Sequence, residues 1–336
     1  MIRPPPARPV ASTAGEPNVT REPNVTRSPD SRNAMDSFLT SQSITPPIKR
    51  HGGKHYLAKR IIMLMPPHVH YVEPFFGAGG VLLHKDPEGV SEVVNDIDGE
   101  LICFWRALQS EEQFARLQRR IEATPFAQQV FDSALETDGS AIEDPIERAA
   151  RFFILARQSR QGIGRVFATL SRQRTRRGMN EQVASWLGAI EGLPEVHQRL
   201  KRIAILNDDA VKVIRTQDGK DTLFYCDPPY VHTTRTAIAA YNCEMDDHQH
   251  VELLKELAAV EGKFILSGYR CRLYDDWAAE HRFQRVDIPI DNKASSAKTK
   301  EIKLECLWMN YNPDSAQVAV ATDTSAKRRL FADDPD

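Results

Sequence analysis

Apolar positions in this chain fall into two kinds of run. Short blocks rich in β-branched and aromatic residues stop abruptly at an acid, a glycine or a proline: residues 69–72 before Glu73, "SEVVNDID" ending near Asp96, "TLFYC" before Asp227, "KFILSGY" with Ser267, Gly268 and Tyr269 at its end, and "LECLWMNY". Continuous apolar blocks of that length, bounded by turn residues, predict strands buried on both faces. Longer runs with apolar residues every three or four positions, such as "EEQFARLQRRIEA", "EDPIERAARFFILARQ" and "DDHQHVELLKELAAV", predict amphipathic helices. The two patterns together describe an open α/β sheet, interrupted from about Ser110 to Ile203 by a stretch that reads as helices alone.

The ends of the strands carry the candidate chemistry. In "TLFYCDPPYVH" the strand breaks at Asp227, Pro228, Pro229 and Tyr230. Prolines that simply turn the chain explain the break, because proline has no N–H for the ladder, but they leave the acid and the aromatic unexplained. At the carboxyl end of a strand in such a sheet, those residues project into the crevice where α/β folds bind ligands. "HVHYVEPFFGAGGVLLHK" repeats the arrangement, with Glu73 at the strand end and Gly77, Gly79 and Gly80 in the turn, ahead of an apolar run suited to starting a helix. Leu82 stands where a dinucleotide fingerprint has its third glycine, which disfavours a dinucleotide. Asp96 follows roughly 20 residues after the glycine turn, where nucleotide-binding folds place an acid on ribose hydroxyls. Asp98 competes for that part, and helix capping by either acid is the structural alternative. No lysine-serine pair follows the glycines, so a nucleoside without a triphosphate fits better.

Composition narrows the class. With 44 Lys and Arg against 46 Asp and Glu, the net charge of −2 gives no global basic signature, so a nucleic-acid partner must be met by a local patch. Five scattered cysteines, without a CxxC pair, fit reduced thiols rather than disulfides or zinc, and no metal site is expected. No apolar run is long enough for a membrane span and no secretory signal is evident, so a cytoplasmic protein is expected. Residues 1–44 are polar and contain the tandem "EPNVTREPNVTR"; they read as a disordered leader, with Met35 a candidate natural start and the two Asn-Val-Thr triplets without a role. Residues 313–336 read as a disordered tail.

Taken in order, "KRHGGK" (residues 49–54), "EPFFGAGG" (73–80), "NDID" (95–98) and "CDPPY" (226–230) resemble the DNA adenine-N6 methyltransferases of the Dam or D12 class, over about residues 47–311. The resemblance implies a Rossmann-like S-adenosylmethionine-dependent methyltransferase fold with an inserted helical target-recognition domain. Residues 45–110 and 205–312 would form the catalytic domain and residues 111–204 the insertion. It further implies S-adenosylmethionine as methyl donor, double-stranded DNA as site-specific substrate, and a bacterial or phage-encoded monomer, with a companion restriction enzyme left open. By position, Lys54 would contact the methionine part of the cofactor, Asp96 the ribose and Asp209 the adenine end, in a cofactor cleft shared with Glu73, Phe75, Gly77, Gly79 and Asp227. Arg50 stands where the family commonly has tryptophan, so a charged contact replaces a stacking one.

The resemblance gives the break at Asp227 a chemical reason. Adenine's exocyclic amine is a poor nucleophile because its lone pair is delocalised into the ring; acceptors on its hydrogens draw it towards a reactive, tetrahedral form. Asp227 would supply one acceptor and the Pro228 carbonyl the other, held by the stiff Pro228–Pro229 pair. A base inside a duplex must be flipped out and stacked, and Tyr230 would be its platform. No Pro-Cys pair serves the covalent cytosine-C5 alternative, and Cys226 reads as a core residue.

The remaining candidates would face DNA. "RQSRQGIGRVFATLSRQRTRRGMN" holds Arg157, Arg160, Arg165, Arg172, Arg174, Arg176 and Arg177 with hardly an acid, either a solvated face or a phosphate-binding and base-reading surface. Arg160, Arg165, Arg172, Arg174 and Arg176 are the candidates there, with Lys298 and Lys300 in "DNKASSAKTKEIK", which resembles a hairpin laid on DNA. "ARQSRQGIG" departs from the family's common run at this place, so the target need not be GATC. His232 and His248 read as rim or surface residues. The competing functions are cytosine-N4 methylation of DNA, amine methylation of RNA, and a non-catalytic DNA-binding protein that kept the fold.

Overall fold

The computed structural model describes residues 44–50, 53–231, 243–290 and 303–313. The expected leader, apart from Ile44, and the expected tail, apart from Pro313, lie outside the described residues, as do His232, Lys298 and Lys300. Ile44 itself is buried and donates its N–H to the Leu83 carbonyl at 3.1 Å.

Seven strands form one sheet: β1 (His70–Glu73), β2 (Ser91–Asn95), β5 (Ile203–Leu206), β6 (Thr222–Cys226), β7 (Lys263–Tyr269), β8 (Gln284–Ile290) and β9 (Lys303–Met309). Their spatial order is β5-β2-β1-β6-β7-β9-β8, parallel from β5 to β7, with β9 antiparallel between β7 and β8. The order reverses between β1 and β6, which lie side by side with His70 opposite Thr222. A crevice opens beyond the carboxyl ends at such a switch point, and there the sequence places Glu73 and Asp227.

Alternation along each strand fills two layers. Tyr71, Leu223, Tyr225, Ile265 and Leu307 point into one apolar cluster, while Val72, Phe224, Cys226, Leu266 and Trp308 enter the other. On the first face lie α1 (Ala58–Ile62) and α2 (Gly99–Gln109), the latter burying Leu101, Phe104, Trp105 and Leu108. The second face is covered by α8 (Ala210–Gln217), α9 (Asp247–Ala259) and α10 (Arg272–His281), through Val213 and Ile214, Leu253 and Leu257, and Tyr274 and Trp277. Each such side chain, fully buried, contributes roughly 1.5–3 kcal/mol.

The helical stretch holds α3 (Glu111–Glu122), α4 (Gln128–Glu136), α5 (Pro145–Gln158), α6 (Glu181–Glu191) and α7 (Leu193–Leu200). Ser110, Asp144 and Asn180 cap α3, α5 and α6 with side-chain oxygens, satisfying amides that a helix start leaves unpaired. These helices share the cluster of the first sheet face, since Phe114, Leu117, Phe153, Trp186 and Val196 join Tyr71 and Leu82 in it. A buried fork reinforces the junction: Arg199 of α7 donates to Glu92 of β2 at 2.6 and 2.8 Å, with Lys85 at 3.3 Å. Losing either partner would strand a buried charge.

Two elements differ from the sequence pattern. The run after the glycine turn makes a single 3-10 turn, Leu82–His84, instead of a helix. Lys85 is already extended, and Pro87 disfavours helical geometry at Asp86. Within the arginine-rich stretch, β3 (Thr175–Arg176) and β4 (Met179–Asn180) form a tight hairpin. Its loop, Arg177 and Gly178, has φ of 55° and 75°, the pair of positive angles that matches a two-residue hairpin to strand twist. No helix among the described residues is long and apolar enough to cross a membrane.

Candidate active site

The glycine turn after β1 is pinned from three sides. Phe76 donates its N–H to the Asn95 carbonyl at 2.8 Å, Gly77 donates to Asp96 Oδ2 at 2.9 Å, and Trp105 Nε1 donates to the Gly77 carbonyl at 3.1 Å. Asn95, fully buried, donates to the carbonyls of Pro74 and Asp208, tying the ends of β1, β2 and β5 together. Gly77 and Gly79 adopt positive φ, and a Cβ on Gly80 would come within 3.0 Å of the His55 nitrogen and 3.2 Å of the Lys54 nitrogen. The turn is therefore laid against the segment carrying Lys54, and only glycine permits that approach.

These segments enclose a cavity of about 250 Å³ lined by Arg50, Lys54, Glu73, Phe75, Gly77, Asp96, Asp209 and Asp227. Gly79 is the one expected cleft residue outside that lining; it shapes the turn from behind, against the Phe76 ring. Asp98, not Asp96, caps α2 with its side chain, and Arg50 pairs with it at 3.0 Å. Asp96 is held by the amides of Gly77 and Asp98, and burial pushes its carboxyl up. Asp209 caps α8, accepting from the Lys212 amide, and remains exposed. Met245 and Gln249 also line the cavity; a strand-end reading misses them because one precedes α9 and the other lies in its first turn.

At the end of β6 the ionisable groups crowd together. Lys54 Nζ lies 2.7 and 2.9 Å from the two oxygens of Asp227, 3.6 Å from Glu305 Oε1, and 4.8 Å from the centre of the Tyr230 ring. Tyr230 donates its hydroxyl to Glu305, as does Ser267 at 2.6 Å, and its ring meets Tyr269 edge-on at 4.6 Å. Burial raises the Asp227 carboxyl to about 6, against the lowering effect of Lys54 and with a further push from Glu305. Glu73, enclosed under the turn and accepting from the Tyr71 hydroxyl at 2.7 Å, is pushed by burial to about 8, so it holds a proton at neutral pH. Glu305 was not among the sequence candidates; a lone acid inside "LECLWMNY" was its only signal.

The arginine-rich stretch separates into two groups. Arg157 is buried on α5, donates to the Ser185 carbonyl and hydroxyl, and is lowered by burial to about 10; Arg177 is held by Glu191 at 2.7 and 3.0 Å. Those two are structural. Arg160, Arg165, Arg172 and Arg176 are exposed and make no ion pair among the described residues, and Arg174 lies 3.9 Å from Glu181. The exposed Val166 and Leu170 interleave with them. Gly162 ties this stretch to the cleft, for a Cβ there would lie 2.3 Å from the Lys49 carbonyl oxygen. His248 is exposed, 3.7 Å from Glu252, in keeping with a surface residue.

A sheet of this order with an acid-proline-proline-tyrosine turn at its switch point defines a Rossmann-like methyltransferase. The family model of the D12 class N6 adenine-specific DNA methyltransferases matches residues 51–289, and the chain belongs to that family. The DNA adenine methylase of Serratia marcescens is 25% identical over 239 residues, 68% of this chain and 85% of that protein. The DNA adenine methylase of Salmonella typhi is 23% identical over 280 residues, 81% of this chain and 97% of its own length. A DNA N-6-adenine-methyltransferase of Escherichia phage P1 is 26% identical over 186 residues, 53% of this chain and only 23% of the phage protein.

Proposed function

We propose that this protein transfers a methyl group from S-adenosylmethionine to N6 of adenine in duplex DNA, on a base flipped into the site. The observation that carries the proposal is the grip of Asp227 on the Lys54 ammonium: at the sheet's switch point, one carboxylate already holds a nitrogen by both oxygens, beside the Tyr230 ring.

The cleft suits the cofactor in its donor set. Asp96 is an acceptor fixed by two amides, Phe75 offers apolar surface and Lys54 a cation. Bound there, S-adenosylmethionine supplies an electrophilic methyl on a sulfonium. The protein's part is to prepare the nucleophile. Asp227, largely ionised above about pH 6, accepts from the amine and draws its lone pair out of the adenine ring, with the Pro228 carbonyl as second acceptor. Tyr230 stacks the extruded base, and Asp227 takes the proton that the methylated amine sheds. Helices α3–α7 with the exposed arginines Arg160, Arg165, Arg172, Arg174 and Arg176 serve as the target-recognition part.

Incubation with tritiated S-adenosylmethionine and genomic DNA lacking adenine methylation, followed by digestion to nucleosides, tests this reading. N6-methyl-2′-deoxyadenosine label from the wild type, lost in Asp227→Asn with calorimetric cofactor binding retained, is expected. Label in cytosine, or only with RNA, would replace the substrate; full activity of Asp227→Asn would remove Asp227 from the chemistry.

A further inference from the structure

We propose that Glu305 is a positioning residue of the transfer step: it fixes the Tyr230 platform through the phenol and is the second counter-ion that takes Lys54 when a target amine displaces it from Asp227. The proposal rests on the roles of Asp227 and Tyr230 given above.

Glu305 is 1% exposed and lies mid-strand on β9, opposite Tyr269 of β7 and Ile288 of β8. A carboxylate so enclosed must be satisfied by donors. Three converge on its Oε1 from three different segments: Tyr230 after β6, Ser267 on β7, and Lys54 ahead of α1. Two of the three belong to the methyl-transfer site. Packing alone would be served by any apolar side chain, as at its strand neighbours Cys306 and Leu307.

The position of Lys54 gives the arrangement its consequence. Its ammonium rests on both Asp227 oxygens and lies over the Tyr230 ring, the place a stacked adenine with its amine on Asp227 would need. Both cannot be there together. Lys54 is 4% exposed, so on leaving Asp227 it needs another anion, and beside the cofactor's carboxylate the protein supplies one of its own. Glu305, at 3.6 Å, is less than an ångström farther from the ammonium than Asp227. A small swing of one side chain therefore exchanges the counter-ion while the acceptor is handed to the base.

The test is Glu305→Gln, which keeps shape and an acceptor for Tyr230 but removes the charge. Steady-state methylation of unmethylated genomic DNA is measured across pH, with S-adenosylmethionine affinity by calorimetry. The groups facing Asp227 are Lys54 and Tyr56 ahead of α1, Glu73 on β1, Tyr225 and Cys226 on β6, Tyr230, Tyr269 on β7, Tyr274 on α10 and Glu305 on β9. Of these, Glu305 pushes Asp227 up, so its neutralisation moves the acid limb of kcat to lower pH. We expect kcat to fall about tenfold or more, with cofactor affinity within about threefold. Wild-type kcat with an unmoved acid limb would overturn the proposal. If Glu305→Gln fails to fold, Tyr230→Phe decides, since it keeps the ring and breaks the contact from the other side: a loss in kcat with cofactor binding retained supports the platform role, and wild-type kcat overturns it. Absence of methyl transfer by the wild type would sink the underlying function, whereas an active wild type matched by both variants sinks only Glu305.

Discussion

The ammonium of Lys54 and the carboxylate of Asp227, 173 residues apart in the chain, meet at 2.7 and 2.9 Å at the end of β6. The pair joins the glycine-lysine segment to the acid-proline-proline-tyrosine turn and sets the charge state of the acceptor. Removing the cation leaves the Tyr230 hydroxyl as the remaining group that holds the Asp227 carboxyl down against burial. In Lys54→Met the acid limb of kcat/KM should therefore move above about 6, opposite in sign to the shift in Glu305→Gln, and activity at neutral pH should fall by about tenfold or more. A pH–rate profile measures it; an acid limb that stays put would detach Lys54 from Asp227.

Glu73 links protons to folding. Its carboxyl stands at about 8 in the folded protein against an ordinary value of 4.5, so between those pH values the folded state holds a proton that the unfolded chain has lost. Stability from this group therefore declines as pH rises through that window. Glu73→Gln should flatten the decline of Tm between pH 5 and 8, read by thermal unfolding at stepped pH.

The same group reports on the cofactor. A cationic ligand placed beside Glu73 favours its ionised form, so S-adenosylmethionine binding near pH 7 should release a proton. Calorimetric enthalpies should then differ between buffers of different ionisation heat, and the difference should shrink in Glu73→Gln, leaving the smaller share of Asp227, which stands at about 6.

Gly162 and Gly178 share a positive φ, 73° and 75°, but differ in surroundings. A Cβ at Gly162 would meet the Lys49 carbonyl at 2.3 Å, while nothing lies within 4 Å of one at Gly178. Gly178→Ala should cost about 1–2 kcal/mol of backbone strain. Gly162→Ala should cost more and, by displacing Lys49, weaken cofactor binding as well. Equal melting temperatures for the two variants would contradict this close approach.

The exposed arginines are expected to act as phosphate contacts. Arg165→Ala, Arg172→Ala or Arg176→Ala should each lower the slope of log affinity against log salt by about 0.9 if one phosphate is lost. Arg177→Ala should change the slope less, because Glu191 already neutralises that charge. Fluorescence anisotropy on duplex DNA across a salt series provides the comparison.

What was legible in the sequence was legible for a physical reason. Strands β1, β2, β6, β7 and β9 are buried on both faces and show as apolar blocks, so their acid-bearing ends could be located. Strands β5 and β8 lie at the two edges of the sheet, and β8, with exposed positions and Pro289, carries no such block. Helix capping by Asp96 or by Asp98 was equally open in the sequence; folding gives the cap to Asp98 and turns Asp96 onto the Gly77 amide. One-signed charge suggested a single arginine surface, yet Arg157 and Arg177 were spoken for by partners distant in sequence. Glu305 could not be found from the chain alone, since its meaning comes from three donors that folding brings to it.

The most direct measurement is to express the wild type and Asp227→Ala in a host lacking adenine methylation and to sequence the host DNA by a method that reads N6-methyladenine. One short motif methylated throughout the wild-type genome and bare in the variant is the expected result. A wild-type genome free of N6-methyladenine, from folded protein that binds S-adenosylmethionine, would contradict adenine in DNA as the substrate.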